Sequence, residues 1–309
     1  APEVEMIEAT PAVCVLPNGG FAAAWLRTDG ADKRAVARLF DAAGQPTTEV
    51  FLPGGTGEAA DVDVAARPDG SCVVTLAEFG PPGFANVHAR IHGSAGQPIS
   101  PLYEVSGDHG VFNVHPRVAV GPGGEFTVTW GVVLHPDSAA RARRHPGAGD
   151  VWEEVWPVAA DAAFPAIALD GQGRRFLAWT TTTGRIEIRV RREGFAETVI
   201  GGSDAGVTAL DMHPDGTAIA AWHEDASADA GVLLARVIDR EGQPAGDILT
   251  VASGTKDADG IPAVAVSAQG RTIFTWEDHT TGRIMACWRD DLLVPVARTS
   301  WGSLKNAWR

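Results

Sequence analysis

The stretch Pro262–Trp276, PAVAVSAQGRTIFTW, contains a short alternating apolar segment, a tight turn at Gly270 and a second apolar segment that ends on Trp276. Period-2 alternation on both sides of a glycine is the pattern of two antiparallel strands joined by a hairpin. The pattern recurs five more times, anchored on Gly19, Gly70, Gly124, Gly173 and Gly216. Six residues after each anchor stands Trp25, Leu76, Trp130, Trp179, Trp222 or Trp276. Six and four residues before it stand apolar pairs, from Val13/Val15 to Val264/Val266. Eight residues before it stands Pro11, Pro116, Pro165 or Pro262, with Val62 and Thr208 in the other two copies. Proline at that point is expected at the first residue of a strand, where no ladder donor is needed.

The second half of each unit predicts two more strands. Ala37-Arg38, Ala89-Arg90 and Ala235-Arg236 lead into Gly44-Gln45-Pro46, Gly96-Gln97-Pro98 and Gly242-Gln243-Pro244, with Ala142-Arg143 and Gly149 as a degenerate copy. Fourth strands are expected over 49–52, 102–105, 154–158, 197–200, 247–251 and 292–296. Four strands per unit, with anchors 51, 54, 49, 43 and 54 residues apart, is the period of a β-propeller blade. One blade cannot bury both of its apolar faces; blades stacked face to face in a ring bury them. The expected fold is therefore all-β: a single domain over residues 1–309, a six-bladed β-propeller with four-stranded antiparallel blades around a central channel. The tryptophans are expected as apolar plates between blades rather than ligand platforms.

Composition agrees. With 36 glycines and 20 prolines the chain is rich in turns. A net charge of −14 argues against nucleic acid and anionic membrane surfaces, which need a cationic face. Cys14, Cys72 and Cys287 lie in apolar strands without CxxC spacing and are expected as small buried hydrophobes. The chain begins at Ala1, consistent with removal of a signal peptide or of the initiator Met alone. Residues 3–9 are expected to form a strand that pairs with the last blade and latches the ring. The segment 134–150, rich in Arg, His, Pro and Gly, reads as a long exposed loop, mobile rather than catalytic. The basic tail 301–309 is expected to lie against the outside of blades six and one.

The segment ARLFDAAGQP at 37–46, with its counterparts at 89–98 and 235–244, resembles β-propeller repeats found in bacterial proteins. That resemblance covers nearly the whole chain and implies the six-bladed fold without implying an activity. Sialidase-type propellers carry SxDxGxTW turns and a catalytic Tyr. Here the turns differ, and the lone Tyr103 falls in an outer strand.

A site is sought at the channel, where the first strand of each blade lies. Seven residues before the anchors stand Ala12, Asp63, Arg117, Ala166, Ala209 and Ala263; five before stand Cys14, Ala65, Ala119, Ala168, Asp211 and Ala265. Asp63, Arg117 and Asp211 break a rule of small residues, and Asp61 and His115 directly precede two of the first strands. Buried charge needs a partner or a ligand, and an Asp63–Arg117 pair across the channel mouth is the structural alternative. On the same face are expected Glu78, His223 with Glu224, Glu277 with His279, and His109. The first reading is a binding protein with one central funnel for a small molecule, sugar or peptide. The second is a hydrolase, lyase or isomerase, with Asp63, His115, Arg117 and Asp211 as the catalytic set and Glu78, His109, His223, Glu224, Glu277 and His279 binding the substrate. The third is a protein-interaction scaffold. No cofactor is expected; a divalent metal on His and carboxylate ligands is the alternative. Asp257 to Gly260 matches a fragment of a calcium loop and reads as a solvated turn. A monomer without nucleic-acid or membrane partners is expected.

Overall fold

A computed structural model describes residues 8–29, 32–51, 53–55, 57–80, 83–107, 110–133, 138–183, 186–202, 205–227, 230–255, 262–267, 269–278, 283–290 and 292. The described residues form six antiparallel sheets and no helix. Blade one holds β1 (Glu8–Val15), β2 (Phe21–Asp29) and β3 (Asp32–Phe40). Blade two holds β4 (Glu58–Ala66), β5 (Cys72–Phe79), β6 (Ala85–His92) and β7 (Tyr103–Glu104). Blade three holds β8 (Phe112–Val120), β9 (Phe126–Val133), β10 (Ser138–His145) and β11 (Trp156–Ala160). Blade four holds β12 (Ala162–Leu169), β13 (Arg175–Thr181), β14 (Ile188–Arg192) and β15 (Thr198–Gly201). Blade five holds β16 (Ala205–Met212), β17 (Ala218–Ser227), β18 (Ala230–Ile238) and β19 (Leu249–Thr255). Blade six holds β20 (Ala263–Val266), β21 (Thr272–Asp278) and β22 (Arg283–Arg289). Strands pair in chain order within every sheet, and the first strands of successive blades lie side by side around a common axis. The protein is a six-bladed β-propeller.

The repeated turn explains the anchor glycines. In blade three, Gly124 N–H donates to Gly121 O at 3.0 Å and Gly121 N–H to Glu125 O at 2.7 Å, a type I turn closed by a left-handed residue. Gly124 has φ +83°, where a side chain is strained and glycine is not. The same bond pair recurs in all six blades. At this end of the axis, turn residues of blades one to five, among them Pro17, Pro68, Pro122 and Pro214, surround a cavity of about 400 Å³.

The Ala-Arg motif also has a mechanical reading. Arg38, Arg90, Arg143 and Arg236 each donate Nε–H to the carbonyl ten residues later, at Thr48 (2.8 Å), Ser100 (3.5 Å), Glu153 (2.8 Å) and Gly246 (3.3 Å). The arginine thus fastens the outermost segment of its own blade. Arg143 and Arg236 reach further, to Val105 O and Ile200 O of the preceding blades.

The core lies between blades, not within them. Each of five apolar clusters joins two neighbours: Leu76 fills the boundary of blades one and two, Trp130 that of two and three, Trp179 three and four, Trp222 four and five, and Trp276 five and six. Trp130, Trp179 and Trp222 are almost wholly buried. The faces of blades one and six at the remaining seam are more open, with Val13 67% and Trp288 65% exposed.

Four expectations need correction. In three blades the prolines do not open the first strands: Pro11, Pro116 and Pro165 lie inside β1, β8 and β12, at β-bulges where the ladder register shifts, so no ladder donor is lost, whereas Pro262 immediately precedes β20. The fourth strand of blade one shrinks to one bridge, Ala37 to Phe51. The segment 134–150 is not a loop throughout, because 138–145 is the third strand of blade three, with Ala140 and Ala142 buried and arginines alternating. Its following turn is also fixed. His145 Nε2–H donates to Gly149 O and its Nδ1 accepts from Gly147 N–H, both at 3.0 Å, while Arg67 reaches Gly147 O at 2.8 Å. Cys14 and Cys287, expected to be buried, are half-buried, whereas Cys72 is buried and its thiol is pushed by burial up to about 12. The expected latch strand lies outside the described residues up to residue 7, and the tail 301–309, the fourth strand of blade six beyond residue 292 and the segment 257–260 lie outside them as well.

Candidate functional site at the channel mouth

The bulges in the first strands build the site. Thr10, His115 and Phe164, each followed by proline, have φ of 46°, 53° and 49°. Left-handed geometry is uncommon for side chains of this size and costs energy that the surrounding structure must offset. All three stand nine residues before their turn glycine, as does Asp61 in blade two.

Asp61 is the centre of the cluster. It is 3% exposed. Its Oδ2 accepts from His115 Nδ1–H and from Arg117 Nη1–H, each at 3.3 Å, and its Oδ1 accepts Val62 N–H at 2.8 Å. Burial raises the Asp61 pKa, but the Arg117 charge and the His115 hydrogen bond outweigh it, and the carboxyl is held below its usual range. The Arg117 guanidinium is correspondingly held above its usual range: the Asp61 and Asp63 charges outweigh its burial. Arg117 also donates to Pro116 O at 2.7 Å. The His115 ring lies 4.6 Å from the Phe164 ring of blade four, tilted by 49°. Blades two, three and four therefore present a carboxylate, an imidazole with a guanidinium, and an aromatic ring in contact succession.

Asp63 and Asp211 serve another purpose. Asp63 Oδ2 accepts Val118 N–H of blade three at 2.9 Å, and its Oδ1 accepts Val64 N–H at 2.9 Å. Asp211 Oδ2 accepts Val266 N–H of blade six at 2.7 Å. Each carboxylate bonds the first strand of the next blade along its channel edge, where backbone donors have no neighbouring strand. Burial pushes both from the usual 3.8 up to about 6. Asp63 adjoins the cluster through the Arg117 field, but it makes no direct bond to Arg117 of the kind the sequence suggested. Asp211 lies three blades further on and is not part of the cluster.

Between about pH 4 and 6 the folded protein keeps protons on Asp63 and Asp211 that the unfolded chain has released, so stability falls as pH rises through that window. Both side chains keep partial exposure, so solvent screens the effect and about 1–2 kcal/mol for each is expected. His92 and His145, whose pKa values burial lowers, act in the opposite direction. Comparing wild type with an Asp63→Asn/Asp211→Asn variant cancels them. Urea titrations at pH 4 and 6.5 should show wild type losing stability relative to the variant, and a constant difference would refute the assignment.

The remaining candidates are placed as follows. Glu78 is buried and its Oε2 accepts Gly55 N–H at 3.0 Å, fixing the link from blade one to blade two. Glu224 accepts the Trp222 indole N–H at 2.9 Å and so completes the inter-blade plate. His223 is buried within blade five. Glu277 lies on β21, its side chain outside the described set, and His109 and His279 lie outside the described residues. Among the described residues no three His, Cys, Asp or Glu side chains converge to hold a metal ion. Phe164 carries no charge and does not stand out in the sequence beside Asp61 and His115, the charged residues nine before their turns. The residue before each first-strand proline was the available signal.

No family model and no curated protein matches the chain. Solved structures do. A protein of unknown function from Dyadobacter fermentans shares 14% identity at a TM-score of 0.64, covering 92% of this chain and 94% of that one. An α-L-arabinanase from Penicillium chrysogenum, complexed with arabinobiose, shares 11% at 0.63, covering 94% and 96%. A Hadza microbial sialidase shares 10% at 0.63, covering 92% of this chain but 66% of the sialidase. At these identities the likeness is one of fold.

Proposed function

We propose that the chain binds a carbohydrate in the channel mouth at blades two to four. The carrying observation is the Asp61–His115–Arg117 cluster against the Phe164 ring. Sugars present hydroxyls at their edges and C–H faces above and below the ring. A site for them combines fixed polar groups with an aromatic face. The arabinanase and the sialidase that share the fold act on sugars by their names, which favours sugar over peptide. A second reading is sugar cleavage by acid and base. It is favoured by one fact: Asp61, held ionised, stands two residues from Asp63, which is pushed up to about 6. Binding ranks first because both Asp63 oxygens already accept backbone N–H groups.

The test is calorimetry against a glycan panel that includes arabinobiose. Wild type is expected to bind a member of the panel, and His115→Ala to lose tenfold or more in affinity, about 1.4 kcal/mol. Binding that His115→Ala leaves unchanged removes the site from this place. Release of new reducing ends from the bound sugar would select the second reading.

A further inference from the structure

We infer that the same face carries a second, outer subsite at the boundary of blades three and four, and that the ligand is a neutral oligosaccharide long enough to reach it. The inference rests on the carbohydrate reading of the channel mouth and adds length and charge to it. A cavity of about 320 Å³ lies there, lined by Asp161, Trp179, Thr181, Thr183, Arg189 and Glu197, at the lower end of the range of about 300–1,000 Å³ for ligand pockets. One strand links it to the mouth along the chain. Phe164, which touches His115, is in β12, and Asp161 immediately precedes that strand. At about 3.3 Å per residue the three steps between them span at most roughly 10 Å, longer than a single sugar ring. Ala162 and Ala163 pair with Thr181 and Thr180, and Ala162 is buried in the core between blades three and four.

Two features mark the cavity as more than a surface gap. Asp161 has φ +50° without a following proline. It is a left-handed residue where the equivalent described positions of blades two and three, Glu58 and Phe112, are not, held by Thr182 N–H donating to its carbonyl at 2.8 Å, and its exposed side chain lines the cavity. Strain of this kind collects at ligand sites. The lining also supplies carboxylates, hydroxyls and a guanidinium together, which suits hydroxyl groups that both donate and accept. Charge decides which sugars fit. Arg189 is bonded to Glu187 at 2.9 Å and to Glu197 at 2.5 Å, so its charge is already balanced. Asp161 leaves the pocket negative, and acidic sugars are repelled.

The test measures affinity by calorimetry for arabinose and arabino-oligosaccharides of two to five units, and for oligogalacturonides of equal length. Wild type is expected to gain tenfold or more between two and four neutral units and nothing along the acidic series. Asp161→Gly relieves the left-handed strain and Thr183→Trp fills the pocket from an exposed position. Neither should lower the melting temperature or change the two-unit affinity, and both should lose the length gain. His115→Ala should weaken every length alike. A length gain that is absent, or that survives both pocket variants, overturns the inference and leaves the channel-mouth site standing. A comparable gain with the acidic series overturns its charge assignment. Failure of wild type to bind any sugar, here and across the glycan panel, overturns both.

Discussion

Trp222→Ala is expected to lower the free energy of unfolding by about 3–5 kcal/mol, the cost of emptying a closed aromatic site. Trp222 is completely buried and stands in the cluster joining blades four and five. Its indole covers Gly201 of β15 so closely that a Cβ there would overlap the ring, and its N–H is bonded to Glu224. Neither neighbour can collapse into the space, because the blade sheets on both sides are fixed by their own ladders. Trp25 is the control. It occupies the equivalent position in blade one, facing the more open seam, and is only partly buried. Trp25→Ala should cost less than half as much. Chemical denaturation of the two variants, followed by circular dichroism, measures the difference. Equal losses would mean that the seam between blades six and one is packed like the other five.

The architecture was legible because its physics is repeated. A hairpin that needs φ > 0 at one residue, a plate six residues later and an alternating strand before it leave the same marks at Gly70 as at Gly270, and six copies fix the blade count. The Trp plates and the third-strand arginines were likewise visible as recurrences, although the carbonyl ten residues on that each arginine grips was not. The site was only half legible. Asp63, Arg117 and Asp211 were conspicuous as charges at small-residue positions, but charge alone does not distinguish a ligand contact from a carboxylate that bonds the next blade, and two of the three proved to do the latter. Phe164 carries no charge and passed unnoticed. Its placement depends on a bulge that shifts the register by one residue, and strict alternation cannot forecast where such a shift brings a side chain.

Asp61→Ala is expected to cost about 3–5 kcal/mol, because it removes one partner of a buried ionic cluster and leaves the other. Arg117 would keep Pro116 O and the Asp63 field, so the value should fall toward the lower end. The pH dependence has a definite sign. The Asp61 pKa is lowered on folding, so its stabilisation is present above the usual carboxylate value and is lost as pH falls through the folded value. Asp61→Asn should therefore flatten the acid limb of the stability curve; it should also narrow the part of the pH 4 to 6 window set by Asp63, whose pKa the Asp61 charge helps to raise, and leave the Asp211 part unchanged. Adding Arg117→Met to Asp61→Ala should restore about 1–3 kcal/mol of the loss, since the uncompensated charge goes with it. The double variant then separates stability from binding. It removes the uncompensated charge, leaves Val62 N–H and His115 without the Asp61 acceptor, and offers a sugar neither the carboxylate nor the guanidinium. Recovered stability with lost binding would mean that these charges are retained for the ligand; recovered stability with undiminished binding would mean that His115 and Phe164 hold the sugar alone.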